Sequence, residues 1–280
     1  MGAHGVELNG KVAIVTGAGI PGNIGSETAE VLAREGASVV LSDVAEDVLV
    51  ETTRTLADKG YSVASYVADI SSEDAVKALI AFTVNKFGKL DVIDNNAART
   101  SPERDLMVGD MDVAWWDQTF AVNARGTMLM CKHAIPAMIK NGGGSIINIS
   151  SGTVMGGNFF STAYASSKSA VETLTRYIAT QYGPQKIRCN AVSPGPVLTS
   201  SLKQGLPDGL REIFRRHSLT GEYAKPSEIG EVVSFLGSDR SSFITGQVIQ
   251  VDGGIAAHLS TSVELAEFMS RGVMPQQTGA

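Results

Sequence analysis

The sequence is poor in cysteine, in aromatic residues and in positive charge. Only two cysteines occur in 280 residues, Cys131 and Cys189, both in apolar surroundings. Two thiols cannot build a disulfide framework, so they read as reduced, buried side chains of a cytosolic (cytoplasmic) protein. Lys and Arg total 23 against 29 Asp and Glu, for a net charge of −6. That balance argues against nucleic acid or an anionic membrane as the main partner. No uninterrupted apolar run approaches the ~18 residues of a membrane span. The stretch Met1–Val6 has neither the basic region nor the apolar core of a signal peptide. Val6 stands where a myristoylation site carries Ser or Thr. His4, His133, His217 and His258 lie far apart, and none pairs with His or Cys at zinc-ligand spacing. No catalytic metal is expected.

What is present suffices for a sizeable core. Hydrophobic residues make up 43% and charged residues 19%, which excludes intrinsic disorder. The 30 glycines exceed the ~7% average and point to tight turns or close backbone contact with a ligand.

Strand and helix patterns alternate along the chain. Short β-branched or apolar runs predict strands at Lys11–Thr16, Ser38–Ser42, Tyr61–Ala68, Leu90–Asp94, Ser145–Ser150, Ile187–Val192 and Gln247–Val251. Helical spacing is read at Ile24–Glu35, at Glu46–Lys59, and at Glu73–Phe87 behind a Ser72 cap. Longer stretches follow near Val113–Ile139 and Ala163–Tyr182. Strands separated by helices imply βαβ units and a parallel sheet covered on both faces. The expected fold is α/β, a Rossmann-type doubly wound sheet of about seven strands in one domain over residues 1–254. Residues 255–280 form an extension in which Ser262–Arg271 makes a short helix with Val263, Leu265, Phe268 and Met269 apolar; residues 272–280 read as frayed.

The first strand runs into Thr16-Gly17-Ala18-Gly19-Ile20-Pro21-Gly22-Asn23-Ile24-Gly25, and a helix follows. Gly17, Gly19 and Gly22 match G-x-G-x-x-G between strand and helix, where a dinucleotide pyrophosphate meets bare backbone N–H groups and the helix dipole. Asp43 stands just past the second strand, 18 residues after Gly25. A carboxylate there accepts hydrogen bonds from ribose hydroxyls and repels a 2′-phosphate. The adjoining Val44-Ala45-Glu46-Asp47 offers no Arg to hold that phosphate. NAD is favoured over NADP.

Tyr164-Ala165-Ser166-Ser167-Lys168 begins a helix. A spacing of four residues puts Tyr164 and Lys168 on one face. A phenol with a pKa near ~10 needs a nearby ammonium to serve as an acid–base group at neutral pH. Ser151, at the end of the SIINIS strand, lies 13 residues before Tyr164, on the carboxyl edge where such sheets bind ligands.

On these residues the chain resembles the short-chain dehydrogenase/reductase family, in its branch of about 250 residues with a Y-x-x-x-K site. The likeness covers residues 8–254. It takes in the glycine loop, Asp69-Ile70, Asn95-Asn96-Ala97-Ala98, Asn123, Ser151, Tyr164, Lys168, Pro194-Gly195-Pro196-Val197-Leu198-Thr199 and Val251-Asp252-Gly253-Gly254. The resemblance implies an oxidoreductase acting on a secondary alcohol or ketone. In it Tyr164 is the general acid–base, Ser151 binds the substrate oxygen, and Asn123 holds a water in a proton relay. Lys168 lowers the Tyr164 pKa and binds the nicotinamide ribose. The cofactor-binding set is Gly17, Gly19, Asn23 and Ile24 in the loop, Asp43 at the adenosine ribose hydroxyls, Asp69 and Ile70 at the adenine, Asn96 and Ala97 lining the adenosine ribose side, then Tyr164 and Lys168. It continues through Pro194 and Gly195 to Val197 and Thr199 at the carboxamide. A homotetramer is implied as well.

Two departures stand out. The glycine loop is two residues longer than the family's usual one, with Asn23 in place of its penultimate glycine, and Ala98 replaces the usual Gly. Longer loops occur in the family's enoyl reductases, which space Tyr and Lys by seven. Val171 and Ser161 stand where that spacing would need Lys or Tyr, so that branch is disfavoured. The alternatives are an NADPH-dependent 3-oxoacyl reductase and a non-catalytic dinucleotide-binding protein. The stretch from Thr199 to about Tyr223 corresponds to the family's substrate lid. Its Arg211, Arg215, Arg216 and His217 would bind an anion or simply form a solvated face. Phe159 and Phe160 would wall an apolar pocket for a cyclic or hydrophobic alcohol, or belong to the core or an interface. Trp115 and Trp116 read as packing residues.

Overall fold

A computed structural model describes residues 7–205 and 207–271. Its strands are β1 (Val12–Thr16), β2 (Ser38–Asp43), β3 (Val63–Val67), β4 (Val92–Asn95), β5 (Gly144–Ile149), β6 (Ile187–Pro194) and β7 (Val248–Val251). They form one seven-stranded sheet in the order β3-β2-β1-β4-β5-β6-β7. Every pairing is parallel. The chain winds outward from β1 to β3, then crosses to β4 on the other side of β1. The strand order therefore reverses between β1 and β4, and a crevice opens there at the carboxyl ends.

The helices are α1 (Ile24–Arg34), α2 (Glu46–Asp58), α3 (Glu73–Phe87), α4 (Val113–Phe120), α5 (Thr127–Lys140), α6 (Thr162–Tyr182), α7 (Ser200–Gly205), α8 (Asp208–His217), α9 (Pro226–Gly237) and α10 (Ser262–Ser270). Alternation along the strands splits the core in two. On one face Val39, Leu41 and Ile147 pack with Leu32 of α1, Leu49 of α2 and Ile229 and Val233 of α9. On the other, Ile14, Val40 and Ile146 pack with Leu79 of α3, Met130 of α5 and Ile178 of α6. Each such side chain, fully removed from water, contributes about 1.5–3 kcal/mol. Cys131 and Cys189 are free and buried in the second face. Burial pushes the Cys131 thiol up to about 12 and raises Cys189 well above its ordinary value.

All seven expected strands are present, with no end shifted by more than two residues; Asp43 is the last residue of β2 rather than beyond it. Ser72 caps α3, accepting from Ala75 N at 3.4 Å. The expected helix over 113–139 is interrupted. A π-helical turn, Ala121–Gly126, joins α4 to α5 and holds Asn123. α9 was not foreseen, although Pro226 at its start and the Lys225 N–H to Glu228 bond of 2.7 Å are ordinary helix-start features. α10 falls where a short helix was read, and Leu265, Phe268 and Met269 remain about half exposed. The expectations for residues 1–6 and 272–280 lie outside the described residues. Among the described residues no helix is long and apolar enough to cross a membrane.

Candidate active site

The crevice is built first by clasps between β1 and β4. The Thr16 hydroxyl accepts from the N–H groups of Asn96 and Ala97, each at 3.1 Å. The Asn96 amide nitrogen donates back to Thr16 O at 2.9 Å and to Gly17 O at 3.2 Å. Asn96 thus fixes the start of the glycine loop with its side chain. Gly17 has φ of +67°, and a Cβ there would lie 2.7 Å from Ala97 Cα. A Cβ on Gly25 would meet Gly17 O at 2.3 Å, so only glycine lets α1 come this close to β1. Gly19 donates its N–H to Asp43 Oδ2 at 2.9 Å.

These features fit a dinucleotide. The loop carries glycine at 17, 19 and 22, where backbone can meet phosphates, and Asn23 provides no side-chain cap for α1. The first-turn N–H groups therefore lack that partner. Asn23 instead bonds Ser201, at 3.0 Å to its hydroxyl and 3.3 Å to its N–H. The lengthened loop is tied to α7 in this way, with Ser200 N donating to Gly22 O at 3.1 Å. Ile24 is the first residue of α1. Asp69 is exposed and makes an Asx turn with Ser71 N at 2.8 Å, while Ile70 is buried beneath Gly126. Pro194 ends β6, and Gly195 N donates to Val251 O at 3.0 Å. Val197 is buried, and the Thr199 hydroxyl accepts from Leu202 N at 3.0 Å. Here Asp69 and Thr199 shape turns around the crevice.

Ser151, Tyr164 and Lys168 meet beyond the ends of β4 and β5. Ser151 lies two residues past β5 and begins a 3₁₀ turn, Gly152–Met155. Its hydroxyl contacts Thr153 Oγ1 at 3.0 Å. Lys168 is buried, its Nζ 5.7 Å from the Tyr164 ring centroid and donating to Ile149 O at 2.6 Å. Burial raises the Tyr164 phenol above its ordinary range, and the neighbouring Ser151 hydroxyl opposes that shift. Burial also lowers Lys168 to about 8.

Asn123 is buried, and its amide group is committed to the protein. Oδ1 accepts from Arg99 N at 2.7 Å; Nδ2 donates to Arg99 O at 3.1 Å and Ser167 Oγ at 3.0 Å. Its side chain braces the loop after β4 against α6. The π turn reorients Asn123 within an otherwise regular helix pair, as such turns often do at functional sites.

Two carboxylates of this region had no place in the sequence reading. Asp94, in β4, is wholly buried, and among the described residues neither oxygen has a hydrogen-bond partner. Desolvation raises its pKa to about 8, with Lys168 opposing. Asp105 is equally buried and accepts the N–H groups of Ala163 and Tyr164.

The lid arginines are paired within the chain. Arg211 reaches Lys203 O, Arg215 pairs with Glu212, and Arg216 with Glu267 of α10. Phe159 is 84% exposed and walls nothing in this structure. A half-open cleft of about 450 Å³ is lined instead by Val108, Met111, Val113, Trp116, Asp117 and Thr162. Trp115 is buried between the guanidinium groups of Arg99 and Arg104, at 4.5 and 4.6 Å.

Comparison with known proteins agrees with this geometry. A family model described as enoyl-(acyl carrier protein) reductase matches residues 17–256. A probable short-chain type dehydrogenase/reductase of Bradyrhizobium diazoefficiens is 42% identical, over 91% of this chain and 90% of its own length. The 7α-hydroxysteroid dehydrogenase of Bacteroides fragilis is 36% identical, over 90% and 96%. Among solved structures, a 7α-hydroxysteroid dehydrogenase complexed with NADH and 7-oxo glycochenodeoxycholic acid superposes with a TM-score of 0.85. It is 33% identical, covering 91% of this chain and 97% of that one. The chain belongs to the short-chain dehydrogenase/reductase family. It is an oxidoreductase of the alcohol dehydrogenase type that works with a nicotinamide dinucleotide.

Proposed function

We propose that the protein interconverts a secondary alcohol and a ketone with NAD, and that Tyr164 moves the proton. The observation that carries this reading is the grouping of Ser151, Tyr164 and Lys168 on the carboxyl edge of the sheet, beside the glycine loop. The cofactor supplies the hydride acceptor or donor. Tyr164 takes the hydroxyl proton of the alcohol, or returns it to the ketone oxygen. Ser151 orients that oxygen and, lying beside the phenol, favours phenolate. Lys168 remains an ammonium at neutral pH despite burial, and its charge favours the same ionised form. Asn123 contributes as a brace that holds α6 to the loop after β4, and by the family resemblance it would hold a water in the proton relay.

Asp43 supports NAD over NADP. Its carboxylate lies against Gly19, where it would accept ribose hydroxyls and repel a 2′-phosphate. The same residue weighs against an NADPH-dependent 3-oxoacyl reductase. The apolar cleft beside Thr162 supports a cyclic or hydrophobic substrate. The steroid-named relatives are consistent with that class. Residues 1–254 would act as one catalytic domain, residues 255–280 as an extension, and the assembly as a homotetramer.

The experiment titrates the purified protein with NADH and, separately, NADPH, following nicotinamide fluorescence. Much tighter NADH binding supports the reading. Tighter NADPH binding overturns the role given to Asp43 and brings the 3-oxoacyl reductase forward.

A further inference from the structure

We infer that Asp105 is a positioning residue for Tyr164, capping α6 from across the site and so fixing where the phenol stands. The inference rests on the reading of Tyr164 as the acid–base group.

The first turn of a helix leaves its N–H groups without partners. A serine before that turn ordinarily sits in the extended region and supplies its own hydroxyl. Ser161 occupies that place in α6, but its φ is +66° and its side chain makes no cap. Asp105 supplies what is missing. Its Oδ1 accepts Ala163 N and its Oδ2 accepts Tyr164 N, both at 2.8 Å. Its own carbonyl accepts Ser161 N at 2.8 Å. The next residue closes the clasp, with the Thr162 hydroxyl donating to Leu106 O at 2.9 Å.

Three properties separate this from an ordinary cap. The residue lies 58 positions before the helix it serves, so it joins the loop after β4 to α6. It is fully buried, so water cannot replace it. One of the two N–H groups belongs to Tyr164 itself, so the backbone carrying the phenol hangs directly on the carboxylate. A carboxylate that holds two successive N–H groups restrains both the rise and the rotation of the first turn. A negative charge at a helix N-terminus is also favoured by the dipole. The unfavourable φ of Ser161, a residue that is not glycine, persists only where its surroundings over-determine it, and Asp105 provides much of that constraint. The same loop holds Asn123 through Arg99 and the glycine loop through Asn96. The stretch from 96 to 106 therefore sets Tyr164 relative to the cofactor side of the crevice.

The test needs no substrate. The Tyr164 phenol is titrated by ultraviolet absorbance as the difference between a protein and its Y164F counterpart, in the parent, D105N, D105A and T162V backgrounds. NADH affinity and melting temperature are measured alongside. Loss of the clasp moves the phenol out of the buried place beside Ser151 that sets its pKa. The titration should therefore move away from the parent value in D105A. The shift should be smaller in D105N, which keeps one acceptor oxygen, and in T162V, which keeps the carboxylate and remains testable if D105A does not fold. NADH affinity should stay at the parent value. Lower melting with an unmoved titration in D105N and T162V would make Asp105 a structural cap and overturn the inference. A shift in D105A and D105N with none in T162V would show only a removed negative charge and would overturn it too. Full turnover by Y164F would instead sink the acid–base reading, whatever the Asp105 variants do.

Discussion

The Asp43 carboxylate accepts the Gly19 N–H at 2.9 Å, so the end of β2 and the glycine loop after β1 are joined by one hydrogen bond. A second N–H, from Ala45, reaches the other oxygen at 3.2 Å. The side chain is held at the mouth of the crevice, partly buried, and among the described residues no cation bonds to it. A Cβ on Gly19 would lie 2.9 Å from this carboxyl group, so the approach requires glycine.

Replacing Asp43 with Asn should therefore weaken NADH binding and relax the exclusion of NADPH. Loss of a charge-assisted hydrogen bond of about 1.5–3 kcal/mol corresponds to a roughly tenfold or greater rise in the NADH dissociation constant. Fluorescence titrations with both dinucleotides read the two effects separately. Unchanged discrimination would remove Asp43 from cofactor choice.

Gly25→Ala should impair the cofactor site more than its one added methyl suggests. The new Cβ would face Gly17 O at 2.3 Å and Asn96 Nδ2 at 2.5 Å, neither of which yields without moving the β1–β4 clasp. A stability loss of about 1–3 kcal/mol is expected, with weaker NADH binding in the protein that folds. Denaturant unfolding and dinucleotide titration check the pair. Full affinity at parental stability would contradict the close approach.

Asp94 should make the protein less stable as pH rises. Its folded-state pKa is about 8 against an ordinary 3.8. The folded state thus holds a proton that the unfolded chain has released, and stability falls with pH between those values. Asp94→Asn removes this dependence. The variant should melt above the parent near pH 9 and like it near pH 4, with a high-pH gain on the order of 3 kcal/mol. Parallel curves at all pH values would refute the buried, unpartnered carboxylate.

His258 should titrate above the ordinary histidine range. Its two ring nitrogens lie 2.7 Å from Leu259 O and 2.8 Å from His217 O, so the doubly protonated ring can donate to both. Both bonds raise its pKa. Through His217 the ring holds the end of α8, and the two imidazoles stack with centroids 5.7 Å apart. Because the folded pKa is raised, this link is complete at low pH and is lost as pH rises through the folded-state value. NMR titration of the parent against H258N reads the pKa directly. A value at or below 6.5, the unshifted figure, would contradict the two-carbonyl arrangement.

Local patterns carried much of this molecule. The apolar strands, the glycine loop, the Ser72 cap and the Tyr164–Lys168 spacing are all short-range signals, and each stands where the sequence puts it. What the sequence hid is long-range. Asn23 looks like a loop residue facing phosphates, yet its partner, Ser201, is 178 positions away. Asp105 resembles any loop aspartate, because nothing near it shows that α6 lacks its own cap. Asp94 did carry a signal, a lone carboxylate in an apolar strand. α9 carried one too, in Pro226, Glu228 and the spacing of Ile229, Val233 and Leu236. The lid arginines were legible as a charged face, but their pairing with Glu212, Glu267 and the Lys203 carbonyl required coordinates.

The central claim is that Tyr164 carries the proton. The direct measurement compares Tyr164→Phe with the parent, following nicotinamide absorbance with a panel of cyclic secondary alcohols and ketones that includes 7-oxo glycochenodeoxycholic acid, and titrating both proteins with NADH. The account predicts that kcat falls by at least about 100-fold while NADH still binds and the melting temperature stays at the parent value. Turnover by the phenylalanine protein at the parent rate would contradict it.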